Sequence, residues 1–357
     1  MKGSIGLFKL FGIEIRIHIT FLLLPAFFGI YYWLNFGIQT SIRAIVLVFF
    51  VFICVIVHEI CHSLVAKKYK IKVKDITLLP IGGIASIQGM PEKPKQEFAI
   101  AIAGPAFNLI FAAIIFYPIY LLVGNDILRP GFESWKQTLA YMFWINPILA
   151  FFNLLPAFPM DGGRILRSIL AQKMEYGQAT KIAVTLGHTF ALIFGFLGIL
   201  TTNIILILIA VFIYMAASQE GFQVDLRLIL KKYKVKDILP KTFIMIEPDT
   251  PVSKILELTF HTHQGDFPVV KDSKLVGLVS RSDIISCVHQ GGMQKKANEF
   301  MQTNIKNVKP EDQLNKVYLL MQQSRLKVLP VIKEGILKGI ISLEDISRVY
   351  SLLSQKE

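Results

Sequence analysis

His58, Glu59 and His62 stand at the spacing H-E-x-x-H near one end of an apolar run, residues 47–66. On a helix, positions i and i+4 lie about 40° apart, so the two imidazoles share a face and can hold one metal ion. Glu59, one step round from His58, then lies beside the metal, where a carboxylate can take the proton of an attacking water. Ionisable groups at membrane depth are costly and need a reason to be there. The chemistry on offer is hydrolysis assisted by zinc, inside a membrane.

A catalytic zinc site has three protein ligands and one open position. Asp161 is the single acid in the apolar part of residues 153–164, which read Asn-Leu-Leu-Pro-Ala-Phe-Pro-Met-Asp-Gly-Gly-Arg. Pro156 and Pro159 break a helix there and two glycines follow the acid. Irregular backbone beside the bilayer core is tolerated only where it lines a cavity or packs on protein. Asp161 is therefore the candidate third ligand, and a cap on the following helix is its plainer reading. Asn153 could donate to a developing oxyanion or hold substrate backbone; an interhelical polar contact is the alternative. His18, at an interface after Arg16, and His188, inside the fifth apolar run, read as ordinary polar contacts. Cys61, at i+3 from His58, points away from the shared face and reads as packing.

The elements that must position these residues are membrane helices. The chain has 357 residues, mean hydropathy +0.53 and net charge +13. Apolar residues concentrate in residues 15–218, and six spans are expected at about 17–36, 43–66, 98–123, 138–157, 180–200 and 203–218. The fifth and sixth meet at Thr201-Thr202-Asn203, so they should form an antiparallel hairpin. The first run lacks a small-residue cleavage site and reads as a retained span. The fold class is a polytopic α-helical membrane protein with a small β insertion and a soluble α/β tail.

Lys and Arg crowd alternate connections: before the first span, between the second and third (Lys67 to Lys95), and between the fourth and fifth (Arg164 to Lys181). The positive-inside bias then puts both termini and the tail in the cytoplasm, with the H-E-x-x-H near the cytoplasmic end of its helix. This crowding also accounts for the net charge. No basic patch with interleaved aromatics occurs, which argues against nucleic-acid binding. Cys54, Cys61 and Cys287 form no C-x-x-C pair, as fits reduced thiols.

Residues 71–90 break the helical pattern. Ile71 to Leu79 alternates, and Gly82-Gly83 precedes another β-branched stretch, so a short sheet is expected. Its functional reading is an edge strand around Gly82 and Gly83 that captures an unwound substrate segment by main-chain hydrogen bonds. A plain interhelical hairpin is the competing reading.

Residues 237–289 and 297–350 carry a repeat at a spacing of 62, after a linker at 221–236 that follows the membrane domain, 1–220. Phe267-Pro268-Val269-Val270 matches Leu329-Pro330-Val331-Ile332, and Ser280-Arg281-Ser282-Asp283 matches Ser342-Leu343-Glu344-Asp345. Each copy reads helix–strand–strand–helix, and two copies can bury each other's sheet. Each Ser-x-x-Asp also reads as a helix N-cap with an acid in the first turn.

His58-Glu59-Ile60-Cys61-His62, taken with Asn153 to Gly162, resembles the site-2 protease family of intramembrane zinc metalloproteases. Ala103-Gly104-Pro105-Ala106-Phe107-Asn108 and Gly82-Gly83 are also similar. The resemblance covers most of residues 1–220. It implies one zinc ion per chain on His58, His62 and Asp161, Glu59 as the base that activates water, and Asn153 as a substrate or oxyanion group. It implies a substrate that is the transmembrane segment of another membrane protein. The repeat resembles a tandem CBS module, which implies regulation by an adenine nucleotide such as ATP or AMP. Ser280, Asp283, Ser342 and Asp345 match that family's ribose- and phosphate-contacting positions. A homodimer through the CBS pair is the competing role for the tail. Two other functions compete with the protease: a CBS-regulated ion or metal transporter, and a scaffold that binds single-span proteins without cutting them.

Overall fold

The computed structural model describes residues 3–80, 82–88, 93–240, 242–262, 264–324 and 326–353. The chain divides into two compact units, Met1–Phe222 and Gln223–Glu357, each described here by itself.

The first unit opens on a hairpin, β1 (Ser4–Leu10) and β2 (Ile13–His18), turned at Phe11 and Gly12, which both have positive φ. β2 pairs in parallel with β3 (Lys72–Leu79), and β3 pairs antiparallel with β4 (Gly82–Gln88), giving the order β1-β2-β3-β4 with β4 at one edge. The hairpin expected at 71–90 is thus present, but it belongs to a larger sheet than expected. The alternation Ile13-Glu14-Ile15-Arg16-Ile17 explains why: Ile13 and Ile15 are fully buried and pack with Ile60, Val73, Ile76 and Ile100. That packing seats the sheet against the helix that carries the histidines.

The helices of this unit are α1 (Leu23–Phe36), α2 (Ile38–Lys68), α3 (Pro94–Val123), α4 (Trp135–Leu154), α5 (Asp161–Leu170), α6 (Tyr176–Leu200) and α7 (Ile204–Lys232). Five stretches among the described residues are long and apolar enough to cross a bilayer: Ile19–Phe36, Ile38–Lys68, Pro94–Leu128, Tyr176–Leu200 and Ile204–Lys232. Their outward faces carry large apolar side chains, such as Leu34 at 76 % and Leu192 at 69 % exposure. A surface of that kind is stable in lipid and not in water.

The fourth expected span differs. α4 has 20 residues, roughly 30 Å of helix, which is long enough. It carries Lys136, Gln137, Asn146 and Asn153, and these lower its apolarity below that of the other five. α4 packs against α2 and α3, and a helix so covered needs less apolar surface. The last span also differs, because α7 continues to Lys232 instead of ending at 218, so the stretch expected as a linker is helical up to that point. The turn at Thr201 and Thr202 joins α6 to α7 as expected, and the Asn203 side chain accepts from the amides of Ile205 and Leu206.

The second unit contains α8 (Val235–Ile238), α9 (Val252–His261), β5 (Phe267–Lys271), β6 (Lys274–Val279), α10 (Arg281–His289), α11 (Leu314–Ser324), β7 (Val328–Lys333), β8 (Ile336–Ser342) and α12 (Leu343–Leu353). Both copies of the repeat therefore run helix–strand–strand–helix, as the sequence predicts. The pairing Phe267↔Val279 recurs as Leu329↔Ile341, and the bridge Ile246↔Val269 recurs as Val308↔Val331. Leu278 and Ile340, equivalent residues of the two copies, share one apolar cluster with Val328.

Candidate metal centre

His58 and His62 lie one turn apart on α2, buried to 5 % and 6 % exposure, with their Nε2 atoms 3.0 Å apart. Asp161 is the first residue of α5, and its Oδ2 lies 3.1 Å from each Nε2. Among the described residues this is the one group of three or more His, Cys, Asp or Glu side chains able to share a metal.

Local sequence explains how an acid 99 residues beyond His62 arrives there. α4 ends at Leu154, ahead of Pro156 and Pro159, and α5 restarts at Asp161. A side chain on Gly162 would sit 2.1 Å from the Leu155 carbonyl oxygen, and one on Gly163 would sit 2.6 Å from Ala157 and Phe158 backbone. The two glycines let the first turn of α5 fold back onto the broken loop. Arg167, one and a half turns on, is 2 % exposed and fastens the helix. Its guanidinium donates to Glu97 of α3 and Glu220 of α7, and it lies over the rings of Phe158 and Tyr176. Met160, not Asp161, is the N-cap residue, and the Asp161 carboxylate in the first turn lies against the two histidines.

The donor set fits zinc. Tetrahedral zinc with bonds of about 2.0–2.1 Å needs donors ~3.3 Å apart, and these three stand 3.0–3.1 Å apart. Two ring nitrogens and a carboxylate oxygen pointed at one place repel one another unless a cation or a ring proton joins them. α3 leaves the room, because a methyl group on Gly104 would lie 2.3 Å from His62 Nε2 and 2.5 Å from His58 Nε2. α3 also reaches the far side of both rings. The Ile100 carbonyl lies 2.6 Å from His62 Nδ1, and the Asn108 amide lies 3.2 Å from His58 Nδ1. The sequence reading noted the segment around Gly104 only as a similarity and gave neither residue a task.

Glu59 follows His58 and is partly buried. Its neighbour is β4: a side chain on Gly83 would lie 2.9 Å from Glu59 Cγ. The edge strand thus runs beside the candidate base, while Gly82 opens β4 with φ +133°. Asn153 sits at the end of α4, where its amide donates to the Leu149 carbonyl of its own helix at 2.9 Å. No hydrogen bond among the described residues links it to the three donors. His188 bonds Ser218 of α7, and His18 bonds Thr20, so neither joins the site.

In the second unit, Ser280 and Asp283 form a closed capping box at the start of α10, with Ser280 Oγ 2.6 Å from Asp283 Oδ2. Gln302 donates to the same Oδ2 at 2.9 Å. Ser342 and Asp345 form the matching pair ahead of α12, also at 2.6 Å. The structural reading of both Ser-x-x-Asp motifs is therefore realised. Asp266 accepts the Arg281 amide at 3.1 Å. Burial pushes its carboxyl above the usual range; the Arg281 amide and, less, Lys327 oppose that shift, while Glu344 and Asp283 add to it.

A bundle of apolar helices, an H-E-x-x-H with a partly buried acid beside it and an α/β tandem are the features of a membrane zinc metalloprotease with an appended module. The profile of peptidase family M50 matches residues 46–130 and 129–194, and that of the CBS domain matches 235–290 and 297–352. A zinc metalloprotease of Methanocaldococcus jannaschii is 38 % identical over 100 % of this chain and 99 % of its own length. A solved site-2 protease from the same organism is 41 % identical, covering 61 % of this chain and 95 % of its own at a TM-score of 0.48. The CBS pair of another protein of that organism, solved with 5′-methylthioadenosine and S-adenosyl-L-methionine, is 26 % identical over 35 % of this chain and 98 % of its own, at a TM-score of 0.32. The chain belongs to peptidase family M50, the site-2 proteases, and is a zinc metalloendopeptidase with a tandem CBS pair.

Proposed function

We propose that this enzyme cuts peptide bonds within the transmembrane segments of other membrane proteins. The observation that carries the reading is the convergence of His58, His62 and Asp161 donors to 3.0–3.1 Å on a helix long and apolar enough to span the bilayer. These three residues would hold the zinc, which supplies a Lewis acid for the scissile carbonyl and makes a water at the site more acidic. Glu59 accepts the proton of the attacking water and returns it to the leaving amine. Asn153 keeps one amide hydrogen beyond its bond to Leu149 and offers it to substrate backbone or to the developing oxyanion.

A helix in lipid has its carbonyls paired, so the substrate must unwind before attack. β4 supports that step. As an edge strand it has free main-chain groups, and an extended segment added along Gly82 and Gly83 would run beside Glu59. The basic connections support an orientation with both termini and the CBS pair on the cytoplasmic side of the cell membrane and the site near that face, where water can reach it. A transporter that uses the same polar groups as an ion path leaves the H-E-x-x-H order and the adjacent strand without a purpose.

The test is co-reconstitution with candidate single-span proteins. Wild type should cleave one of them, and Glu59→Gln should bind zinc yet cut at least 100-fold more slowly, in line with losing a general base. Equal rates would refute the mechanism, and intact substrate with zinc-loaded wild type would point to the scaffold. For the tail, ATP or AMP is proposed to bind near Ser280, Asp283, Ser342 and Asp345 and to change the cleavage rate. Titration calorimetry without heat from either nucleotide, together with an unshifted unfolding temperature, would leave dimerisation as the tail's role.

A further inference from the structure

We infer that Asn108 is a positioning residue of the metal centre: its side-chain amide accepts the Nδ1 proton of His58 and so keeps that ring's Nε2 bare for the metal. The inference rests on the reading of His58 and His62 as ligands. A neutral imidazole that ligates through Nε2 must carry its hydrogen on Nδ1, and something must accept that hydrogen. For His62 the acceptor is unambiguous, since the Ile100 carbonyl at 2.6 Å can only accept. For His58 the group in place is the Asn108 amide, fully buried and 3.2 Å from Nδ1.

The two ends of an amide differ in chemistry but hardly in shape, and their placement follows from the hydrogen bonds they make. As placed, Asn108 Nδ2 faces His58 Nδ1 at 3.2 Å and Oδ1 has no partner among the described residues; a half-turn about the last side-chain bond exchanges the two ends at no cost in shape. A hydrogen on Nδ1 requires the oxygen to be the end that faces it. The alternative tautomer would put the hydrogen of His58 on Nε2, where it would bond Asp161 or His62 and close the site on itself. An accepting Asn108 tips the ring toward the tautomer that leaves the donor free. Ile100, Gly104 and Asn108 stand at i, i+4 and i+8, so one stripe of α3 supplies an acceptor for each ring with a side-chain-free gap between them. A buried amide has little packing value that an apolar side chain of the same size would not match. Its worth at this position lies in the hydrogen bond.

The test measures zinc affinity of the full-length protein in detergent by competition with a chromophoric chelator. Removing an outer-shell partner of a metal-bound histidine should weaken affinity 10–100-fold, and Asn108→Leu and Asn108→Ala are expected to do so. The chelated Asn108→Leu protein should still fold and lose only the few degrees of unfolding temperature that one unpaired buried imidazole nitrogen costs, because its lost amide made no other bond. Asn108→Asp, which still accepts from Nδ1, should bind zinc within about threefold of wild type. Wild-type affinity in both Asn108→Leu and Asn108→Ala would overturn the inference, as would Asn108→Asp as weak as Asn108→Leu. His58→Gln separates the two levels. If it also leaves affinity unchanged, the ligand assignment itself fails; if it alone weakens binding, only the role of Asn108 does.

Discussion

Gly104→Ala offers a sharp test of the space around the donors. The added methyl would sit 2.3 Å from His62 Nε2 and 2.5 Å from His58 Nε2, whereas ordinary contact begins at about 3.4 Å. The deficit is about 1.1 Å, and metal–ligand distances tolerate only about ±0.2 Å. Neither ring can swing away freely, since His62 is held by the Ile100 carbonyl and His58 lies against Asn108. Either α3 moves off by about an ångström, or a ring turns and withdraws its nitrogen. A misplacement of that size costs on the order of 100-fold in a positioned site. Alanine suits a helix better than glycine, so the fold itself should not suffer. The assay pairs chelator competition for zinc with thermal unfolding of the chelated protein in detergent. The expected result is an affinity loss of about 100-fold or more in a protein that still unfolds cooperatively, its unfolding temperature lowered only by the local overpacking. Wild-type zinc affinity in a folded Gly104→Ala protein would refute the geometry.

Two further predictions concern the supports of each unit. Arg167→Leu strips the buried Glu97 of its cation and should cost about 3–5 kcal/mol, read as a lower unfolding temperature, because breaking one side of a buried pair leaves a bare charge. The double variant with Glu97→Leu should recover part of that loss, and an additive double loss would contradict it. In the second unit, Asp266 has a folded-state pKa raised by burial, so its ionisation works against folding. Its contribution is fully present at low pH and is lost as the pH rises from the ordinary carboxylate range through the raised value. Asp266→Asn, which can still accept the Arg281 amide, should therefore unfold at a higher temperature at pH 7 and show a flatter dependence on pH below that. An unchanged pH slope would contradict the shift.

The three candidate ligands were legible because their signals are local. Two histidines at i and i+4 announce a shared face, and a lone acid between a proline break and two glycines stands out in an apolar segment. The repeat at 62 was equally plain, since it fixes two hairpins of identical register. What escaped depends on contacts distant in sequence. Ile13 and Ile15 alternate with charges, yet they run straight into the first span and read as its flank; only pairing of β2 with β3 reveals a strand. α7 extends past the apolar run because Leu226, Ile229 and Leu230 form a buried stripe on a charged helix. Asn146 and Asn153 leave α4 less apolar than the other five spans, which its cover by α2 and α3 permits. Arg167 meets Glu97 and Glu220 across 70 and 53 residues, and Asn108 meets His58 across 50, separations that carry no local pattern.

The central claim is where the bond breaks. Wild-type enzyme and a cleaved single-span substrate, reconstituted together in liposomes, would yield products whose new termini can be read by mass spectrometry. The account predicts termini inside the apolar membrane-spanning segment, absent with Glu59→Gln. Termini confined to the extramembrane loops, or the same products from Glu59→Gln, would contradict it.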